Sequence, residues 1–228
     1  MSNERESNDH VLHAHRLTPD ACTLRTDPIK ADSKAFSLTS PGVSYIFHAD
    51  ESGELVHDHF GPATTQTTPD VGGPDGGWGS YLTRVARELP DSGRGDFRLP
   101  AIKIRKKNGN TILRLEYESH EVVKGKPSLE GLPATFGEEK DVSTLIVKMR
   151  DPQAKVTVFT SYSIFVEYDA IVRSMRIVNE SQDETVIEQA ASFSVDMPSG
   201  EWEMMQLSGD WAREARIIKR PVVLGTQG

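Results

Sequence analysis

Apolar and polar residues alternate in short runs along this chain, which is the pattern of β-strands that bury one face. In the first half, these runs cover residues 43–48, 54–60, 101–105, 111–117 and 121–123. Four longer runs follow at residues 143–149, 155–165, 170–178 and 185–195. In the run 170–178, Ile171, Met175 and Ile177 share one face, as a sheet with one buried face requires.

Turn-forming residues separate the runs and indicate how they connect. Residues 50–53 predict a hairpin between the first two strands, and Asn108-Gly109 predicts a second hairpin between 101–105 and 111–117. Only residues 80–88 and 211–218 could form helices, and neither has a wide apolar stripe. The sequence therefore predicts an all-β fold, a large antiparallel β-sandwich.

Two segments lack the strand pattern. Residues 1–37 are polar without a hydrophobic period, which predicts a disordered or loosely attached tail before a domain at 38–228. Residues 61–79 include the glycine-rich stretch 72–79 and predict a long loop. Loops of this length inside a compact domain are usually functional or disordered.

The charge balance narrows the classes of partner. Lys and Arg number 26 against 34 Asp and Glu, a net charge of −8 without a basic cluster. This balance argues against nucleic acid or an anionic membrane as a partner. Residues 1–10 lack the apolar core of a signal peptide and Cys22 is the single cysteine, which favours the cytoplasm. The glycosylation sequon Asn179-Glu180-Ser181 leaves a secreted protein open.

The stretch 89–101 concentrates charged residues, glycines and prolines in one predicted loop. The favoured interpretation is structural: Arg94 and Arg98 clamp Asp91 or Asp96 through charge-assisted hydrogen bonds and hold the loop rigid. In that interpretation the two glycines of the stretch permit a positive φ or a close backbone approach.

Two functional alternatives exist for the same stretch. Arg94-Gly95-Asp96 is the tripeptide that integrins recognise in matrix proteins. Asp91 and Asp96 could also form the paired carboxylates of a glycosidase. Neighbouring arginines favour ionised, acceptor-only carboxylates, which suit the binding of hydroxyl groups better than proton donation.

Asp75 and Trp78, in the glycine-rich loop, are the candidate substrate-binding residues. An aromatic ring can stack on a pyranose, and a carboxylate can accept two hydroxyl hydrogen bonds. The alternative is that Trp78 anchors the loop to its own sandwich. For Trp211 the same two roles exist, and anchoring in the core is favoured.

His57 and His59 are the candidate metal ligands, because alternation would place both imidazoles on one strand face. A third ligand of suitable spacing is missing nearby, so a polar strand face is the default interpretation. The sequence predicts neither a metal site nor a cofactor.

Several stretches together resemble the amino-terminal domain of fungal and bacterial α-galactosidases of glycoside hydrolase family 36. They keep one order over residues 43–228. The matching stretches are residues 47–53, 58–61, 89–98, 119–127, 131–136, 168–174 and 209–214.

The resemblance implies a galactose mutarotase-like β-sandwich, incomplete at its C-terminus here, that precedes a catalytic (β/α)₈ barrel and a small β domain. Members of the family hydrolyse terminal α-galactosyl groups of melibiose and raffinose-type sugars with retention. Their two catalytic aspartates lie in the barrel, so no catalytic residue carries over to this chain. In tetrameric members, a loop that corresponds to 61–79 reaches a neighbouring subunit's active site.

The resemblance therefore predicts a non-catalytic domain that supports the barrel, oligomerisation and substrate access in an α-galactosidase. Its partners would be the barrel, further copies in a homo-oligomer and a galacto-oligosaccharide. The alternative is a stand-alone carbohydrate-binding β-sandwich without hydrolase activity.

Overall fold

The computed structural model describes residues 27–64, 85–96, 98–131, 134–197 and 200–223. Regular structure in these residues is β-strand, apart from one 3₁₀ turn at Val166–Tyr168. All strand pairs are antiparallel. The predicted all-β antiparallel fold is confirmed.

The first sheet has four strands in sequence order, and its last two form the predicted hairpin. The strands are β1 (Ile29–Asp32), β2 (Ala35–Thr39), β3 (Val43–Ala49) and β4 (Leu55–Pro62). β1 and the first three residues of β2 lie inside the segment predicted as a tail. The ring of Phe36 is buried 4.9 Å from that of Phe47. The predicted domain boundary at residue 38 is therefore wrong, and the sheet begins at Ile29.

The second sheet also has four strands in sequence order. They are β6 (Glu116–Lys124), β7 (Val142–Asp151), β8 (Val156–Phe165) and β9 (Ala170–Asn179). β7, β8 and β9 match the predicted strands to within two residues at each end. β-Branched and aromatic residues dominate β8, as they do in strands generally.

The core lies between these two sheets and forms a sandwich. Side chains of β3 such as Phe47 meet side chains of β8 such as Tyr162, with ring centroids 4.8 Å apart. Leu145 on β7 is fully buried. Ile171, Met175 and Ile177 pack against the same core, as their predicted common face requires.

Two smaller strand pairs accompany the sandwich. β5 (Ile102–Lys106) pairs with β10 (Thr185–Ala190), and β11 (Glu203–Ser208) pairs with β12 (Arg216–Pro221). The candidate helix at 211–218 does not form, because Arg216–Pro221 is β12. Residues 85–88 of the other candidate helix are not helical, and 80–84 lie outside the described residues.

The predicted hairpin between 101–105 and 111–117 is also wrong, although its turn forms. Gly109 adopts a φ of +83°, and its N–H donates to the Lys106 carbonyl over 2.9 Å. Beyond the turn, two backbone N–H groups that a strand partner would satisfy donate to buried carboxylates instead. The Arg114 N–H donates to Asp151 and the Leu115 N–H to Asp91, each over 2.8 Å. β5 pairs with β10 instead.

Candidate functional site

The segment from Val85 onwards brings a buried arginine between three carboxylates. The Arg87 side chain is 1% exposed, and its guanidinium contacts Glu54, Asp91 and Asp96. Nη2 donates to Asp91 Oδ1 over 2.9 Å, and Nη1 lies 3.4 Å from Asp96 Oδ2. An isolated bridge between Arg87 and Val56 of β4 fixes the backbone at this point.

The two arginines predicted as clamps perform that role. Arg98 donates to Asp96 through Nη2 over 2.9 Å and through Nε over 3.1 Å. Arg94 Nε lies 3.6 Å from Asp91 Oδ2, and its Nη2 donates to the Leu115 carbonyl over 2.7 Å. The loop is therefore held by internal ion pairs, as the structural interpretation predicted.

Both glycines of this loop occupy positions that a side chain would strain. A Cβ on Gly93 would lie 2.3 Å from the Leu113 carbonyl oxygen, so the backbone approach requires glycine. Gly95 has a φ of +76°. Gly93 thus permits the predicted close backbone approach, and Gly95 adopts the predicted positive φ.

The electrostatics of the loop exclude it as an acid–base pair. Burial would raise the pKa of Asp96, but hydrogen bonds from Arg98 and Arg87 outweigh it and lower the pKa to about 2. Asp91 uses both oxygens to accept hydrogen bonds from buried groups, and its side chain is 2% exposed. Both carboxyl groups are buried and held by internal partners, so the catalytic-pair alternative is not supported.

The adhesion alternative fails for a similar reason. An integrin ligand presents its arginine and aspartate at an exposed loop tip, but Arg94 and Asp96 have side chains 7% and 2% exposed. Both are occupied by internal partners.

A second polar cluster, the Glu88 cluster, lies between the sheets. It consists of the fully buried Glu88 and four side chains that surround its carboxylate: Tyr45 of β3, His57 of β4, Tyr162 of β8 and Arg173 of β9. The Tyr45 hydroxyl lies 2.8 Å from Oε2, and the Tyr162 hydroxyl 2.9 Å from Oε1. His57 Nδ1 lies 3.1 Å from Oε2, and Arg173 Nη1 3.2 Å from Oε1.

The Glu88 cluster joins the two sheets through one carboxylate. Burial raises the pKa of both tyrosines, and the neighbouring Glu88 raises it further, so each hydroxyl remains a donor. Arg173 forms an ion pair with this carboxylate, donates through Nη2 to the Glu88 carbonyl over 3.0 Å and lies over the Tyr162 ring. The hydroxyl donors and the guanidinium charge compensate the charge of a fully buried carboxylate.

Hydrogen bonds anchor the described residues that flank the glycine-rich segment. At one end, the Thr64 N–H donates to Ser44 Oγ over 3.0 Å. At the other, Arg98 Nη2 donates to the Val85 carbonyl over 2.9 Å and the Glu88 N–H to the Leu55 carbonyl. The predicted substrate-binding residues Asp75 and Trp78 lie between these ends, outside the described residues.

The predicted common face of His57 and His59 is wrong. A register shift in β4 places His57 opposite Phe47 and His59 opposite Ile46, which are adjacent residues of β3. Such a bulge puts the two imidazoles on opposite faces. Among the described residues, no group of three His, Cys, Asp or Glu side chains could hold a metal ion.

Trp211 does not anchor a core. It lies at the tip of the β11–β12 hairpin and is 91% exposed, so the favoured sequence interpretation is wrong. Among the described residues, no helix is long and apolar enough to span a membrane.

Sequence reasoning missed the Glu88 cluster, although one signal was present. Arg173 shares the strand parity of Ile171 and Met175, so the apolar face of β9 contains one cation. A cation at a core position requires a buried partner. The identity of that partner, 85 residues away in the chain, cannot be read from the strand pattern.

The comparisons with known proteins agree on one family. The family profile described as "Glycosyl hydrolase family 36 N-terminal domain" matches residues 53–228. Alpha-galactosidase 2 of Hypocrea jecorina is 49% identical over 211 residues, which cover 91% of this chain and 28% of that protein. Alpha-galactosidase AgaA of Geobacillus stearothermophilus is 33% identical and is likewise covered to 28%.

Solved structures extend the similarity to the fold. The GH36 alpha-galactosidase AgaB from Geobacillus stearothermophilus has a TM-score of 0.79 at 31% identity, over 87% of this chain and 29% of that one. The galactosidase domain of the alpha-galactosidase-sucrose kinase AgaSK also has a TM-score of 0.79, at 30% identity over 86% of this chain and 29% of that one. This chain thus spans less than a third of the length of the relatives it matches.

Proposed function

Since this chain belongs to the family of glycosyl hydrolase family 36 N-terminal domains, we propose that it acts as the non-catalytic N-terminal domain of an α-galactosidase. The enzyme would hydrolyse terminal α-D-galactosyl residues of melibiose- and raffinose-type oligosaccharides. The observation that carries the proposal is the match over residues 53–228 to a domain that forms under a third of each relative. Crystal structures of the relative AgaA include variants in complex with raffinose and with stachyose.

The described residues are consistent with a supporting role. Their most acidic loop holds its carboxylates in ion pairs with arginines, and the most deeply buried carboxylate, Glu88, lies between the sheets. These arrangements stabilise a scaffold and leave none of these carboxyl groups available as a general acid. Catalysis would come from a (β/α)₈ barrel in the remainder of a full-length enzyme.

Asp75 and Trp78 are proposed as this domain's contribution to substrate binding. Their segment starts and ends at backbone positions that hydrogen bonds tie to the first sheet. A rigid scaffold beneath a loop is the usual arrangement for a binding loop. In a homo-oligomer, the segment would take part in substrate access to a neighbouring active site.

Hydrolysis of an aryl α-galactoside tests the proposal. The purified 228-residue chain should show no turnover. A chimera in which this chain replaces the aligned 211-residue region of the Hypocrea jecorina enzyme should be active. Turnover by the chain alone, or a folded but inactive chimera, would contradict the proposed function.

Galactose titration separates the proposal from a stand-alone carbohydrate-binding module. As a supporting domain, the isolated chain should give almost no binding signal. Measurable binding that is lost in Trp78→Ala would instead favour the stand-alone module.

A further inference from the structure

Exposed apolar side chains concentrate in the last part of the described chain. Of the nineteen large hydrophobic residues that are exposed among the described residues, twelve lie between Val186 and Val223. The buried core, in contrast, draws its fully enclosed apolar side chains from residues 29–164. The polypeptide after β9 therefore forms β-strands, but few of its large apolar side chains are buried.

The β11–β12 hairpin presents a distinct apolar surface, here called the outward hairpin face. Met205 lies opposite Lys219 and Leu207 opposite Ile217, and strand alternation puts these four side chains on one face. Met205, Leu207 and Ile217 are 61–67% exposed. On the opposite face, Met204 and Arg220 are half-buried, while Arg216 and Ile218 are exposed. The outward hairpin face is therefore the more exposed of the two.

The tip of the hairpin is a strained turn that contains an exposed tryptophan, Trp211. Ala212 and Ala215 have φ values of +59° and +58°, a region that costs an L-residue energy and that persists where its surroundings enforce it. The Trp211 N–H donates to Asp210 Oδ1 over 2.8 Å, and the Arg213 N–H donates to the Asp210 carbonyl over 2.9 Å. The indole, 91% exposed, is thus presented by an ordered loop.

This surface has the chemistry of a protein interface. Tryptophan and methionine are enriched at interface centres, and the outward hairpin face combines Met205 with Lys219, beside Trp211 at the tip. Contiguous exposed apolar patches on soluble proteins usually mark a binding surface. The partner should present apolar groups with a carboxylate opposite Lys219.

Two observations select the occupant. The matched relatives carry most of their length outside the region shared with this chain, so each contains polypeptide that is available to cover this face. A second copy of this chain suits the surface less well. Two-fold pairing through the outward hairpin face would bring Lys219 towards its own copy, and both copies carry a net charge of −8.

We propose that the outward hairpin face and Trp211 dock on the part of a full-length family 36 α-galactosidase that lies outside the region matched here. The inference rests on the proposed function and assigns it an interaction surface. In the complete enzyme, Leu207 and Ile217 would enter an apolar contact and Trp211 would be its aromatic anchor.

Sedimentation velocity on the 228-residue chain gives the first test. A monomer is expected at micromolar concentration, both for the unaltered chain and for Ile217→Glu. A dimer that Ile217→Glu dissociates would show that a second copy covers the face, and would overturn the inference.

The chimera with the Hypocrea jecorina enzyme gives the second test, with a matched pair of substitutions. Ile217 and Ile112 are exposed to nearly the same extent, 61% and 59%, but Ile112 lies outside the hairpin. Each is replaced by glutamate, and both isolated chains should keep the urea midpoint of the unaltered chain. In the chimera, Ile217→Glu should lower the yield of active enzyme more than tenfold and reduce its melting temperature, and Ile112→Glu should change the yield less than twofold.

The outcomes of the chimera test separate the two proposals. An active chimera in which Ile217→Glu and Ile112→Glu behave alike would overturn the docking surface and leave the proposed function intact. A folded but inactive unaltered chimera would contradict the proposed function itself. Trp211→Ala should reproduce the loss seen with Ile217→Glu, because both belong to the same contact.

Discussion

The sandwich and the β11–β12 hairpin both consist of alternating strands, but the apolar residues are buried in the sandwich and exposed on the hairpin. Leu145 on β7 is fully buried between two sheets, while Leu207 on β11 is 67% exposed. The sandwich strands have a facing sheet, and the outward hairpin face has none among the described residues. The alternation of a strand thus determines which residues form its apolar face. That face is buried only where a second layer packs against it.

The two regions also differ in how polar groups are treated. Within the sandwich, the Glu88 carboxylate is fully enclosed and satisfied by donors from both sheets. On the hairpin, Glu203 and Lys219 are exposed. Four predictions test whether this contrast governs stability.

The largest effect is expected from the Glu88 cluster. Glu88→Ala leaves the buried Arg173 without its carboxylate and should lower the free energy of unfolding by about 3–5 kcal/mol. The matched change on the hairpin, Glu203→Ala, should stay within about 0.5 kcal/mol. Urea unfolding followed by circular dichroism measures both. Equal losses would contradict the view that Glu88 joins the sheets.

An identical substitution in each region tests burial directly. Leu145→Ala removes packed methyl groups from the sandwich core and should cost about 2–5 kcal/mol of the free energy of unfolding. Leu207→Ala should cost less than about 0.5 kcal/mol in the isolated chain. The same urea experiment applies, and a costly Leu207→Ala would mean that the hairpin face is already covered.

Acid should weaken the ion pair between Asp96 and Arg98 in the loop 89–101. The folded-state pKa of Asp96 is lowered from 3.8 to about 2, so its ion pair with Arg98 stabilises the fold above pH 3.8. That contribution disappears as the pH falls through about 2, because the carboxylate becomes protonated. Asp96→Asn should therefore lose about 1 kcal/mol at pH 6 and flatten the decline in stability between pH 4 and pH 2. Arg98→Gln removes the other half of the ion pair and should flatten the same decline, so a profile like that of the unaltered chain would refute this assignment.

The smallest effect concerns backbone strain and should have opposite signs in the two regions. Ala212→Gly relieves a positive φ at the hairpin tip and should raise the free energy of unfolding by up to about 1 kcal/mol. Gly95→Ala introduces the same strain at a φ of +76° in the loop 89–101 and should lower the free energy of unfolding by about 1 kcal/mol. Differential scanning calorimetry resolves both, and changes of the same sign would contradict the account.

The alternation of apolar and polar residues was sufficient to predict a strand where it continues with period two over a whole run. β7, β8 and β9 were predicted nearly to their ends, and the common face of Ile171, Met175 and Ile177 does meet the core. The clamp of Asp96 by Arg98 was also predictable, because two oppositely charged residues two positions apart in a tight loop are within reach of each other.

The errors share a physical cause, which is that single long-range contacts override local pattern. β1 and β2 are only four and five residues long, too short to stand out in a polar segment, but the ring of Phe36 packs against that of Phe47. The Leu115 N–H bonds to the Asp91 carboxylate and so needs no strand partner. One inserted residue in β4 reverses the face of His59. The position of Trp211 depends on a facing surface that the sequence of this chain cannot specify.

Hydrogen–deuterium exchange, compared between the isolated chain and the active chimera, tests the contrast between the regions most directly. In the isolated chain, amides of β7 and β8 should exchange slowly, and those of β11 and β12 should exchange fast. In the chimera, protection of β11, β12 and Trp211 should rise at least tenfold while β7 and β8 stay as they were. Unchanged exchange in the hairpin of an active chimera would contradict the claim that the remainder of the enzyme covers it.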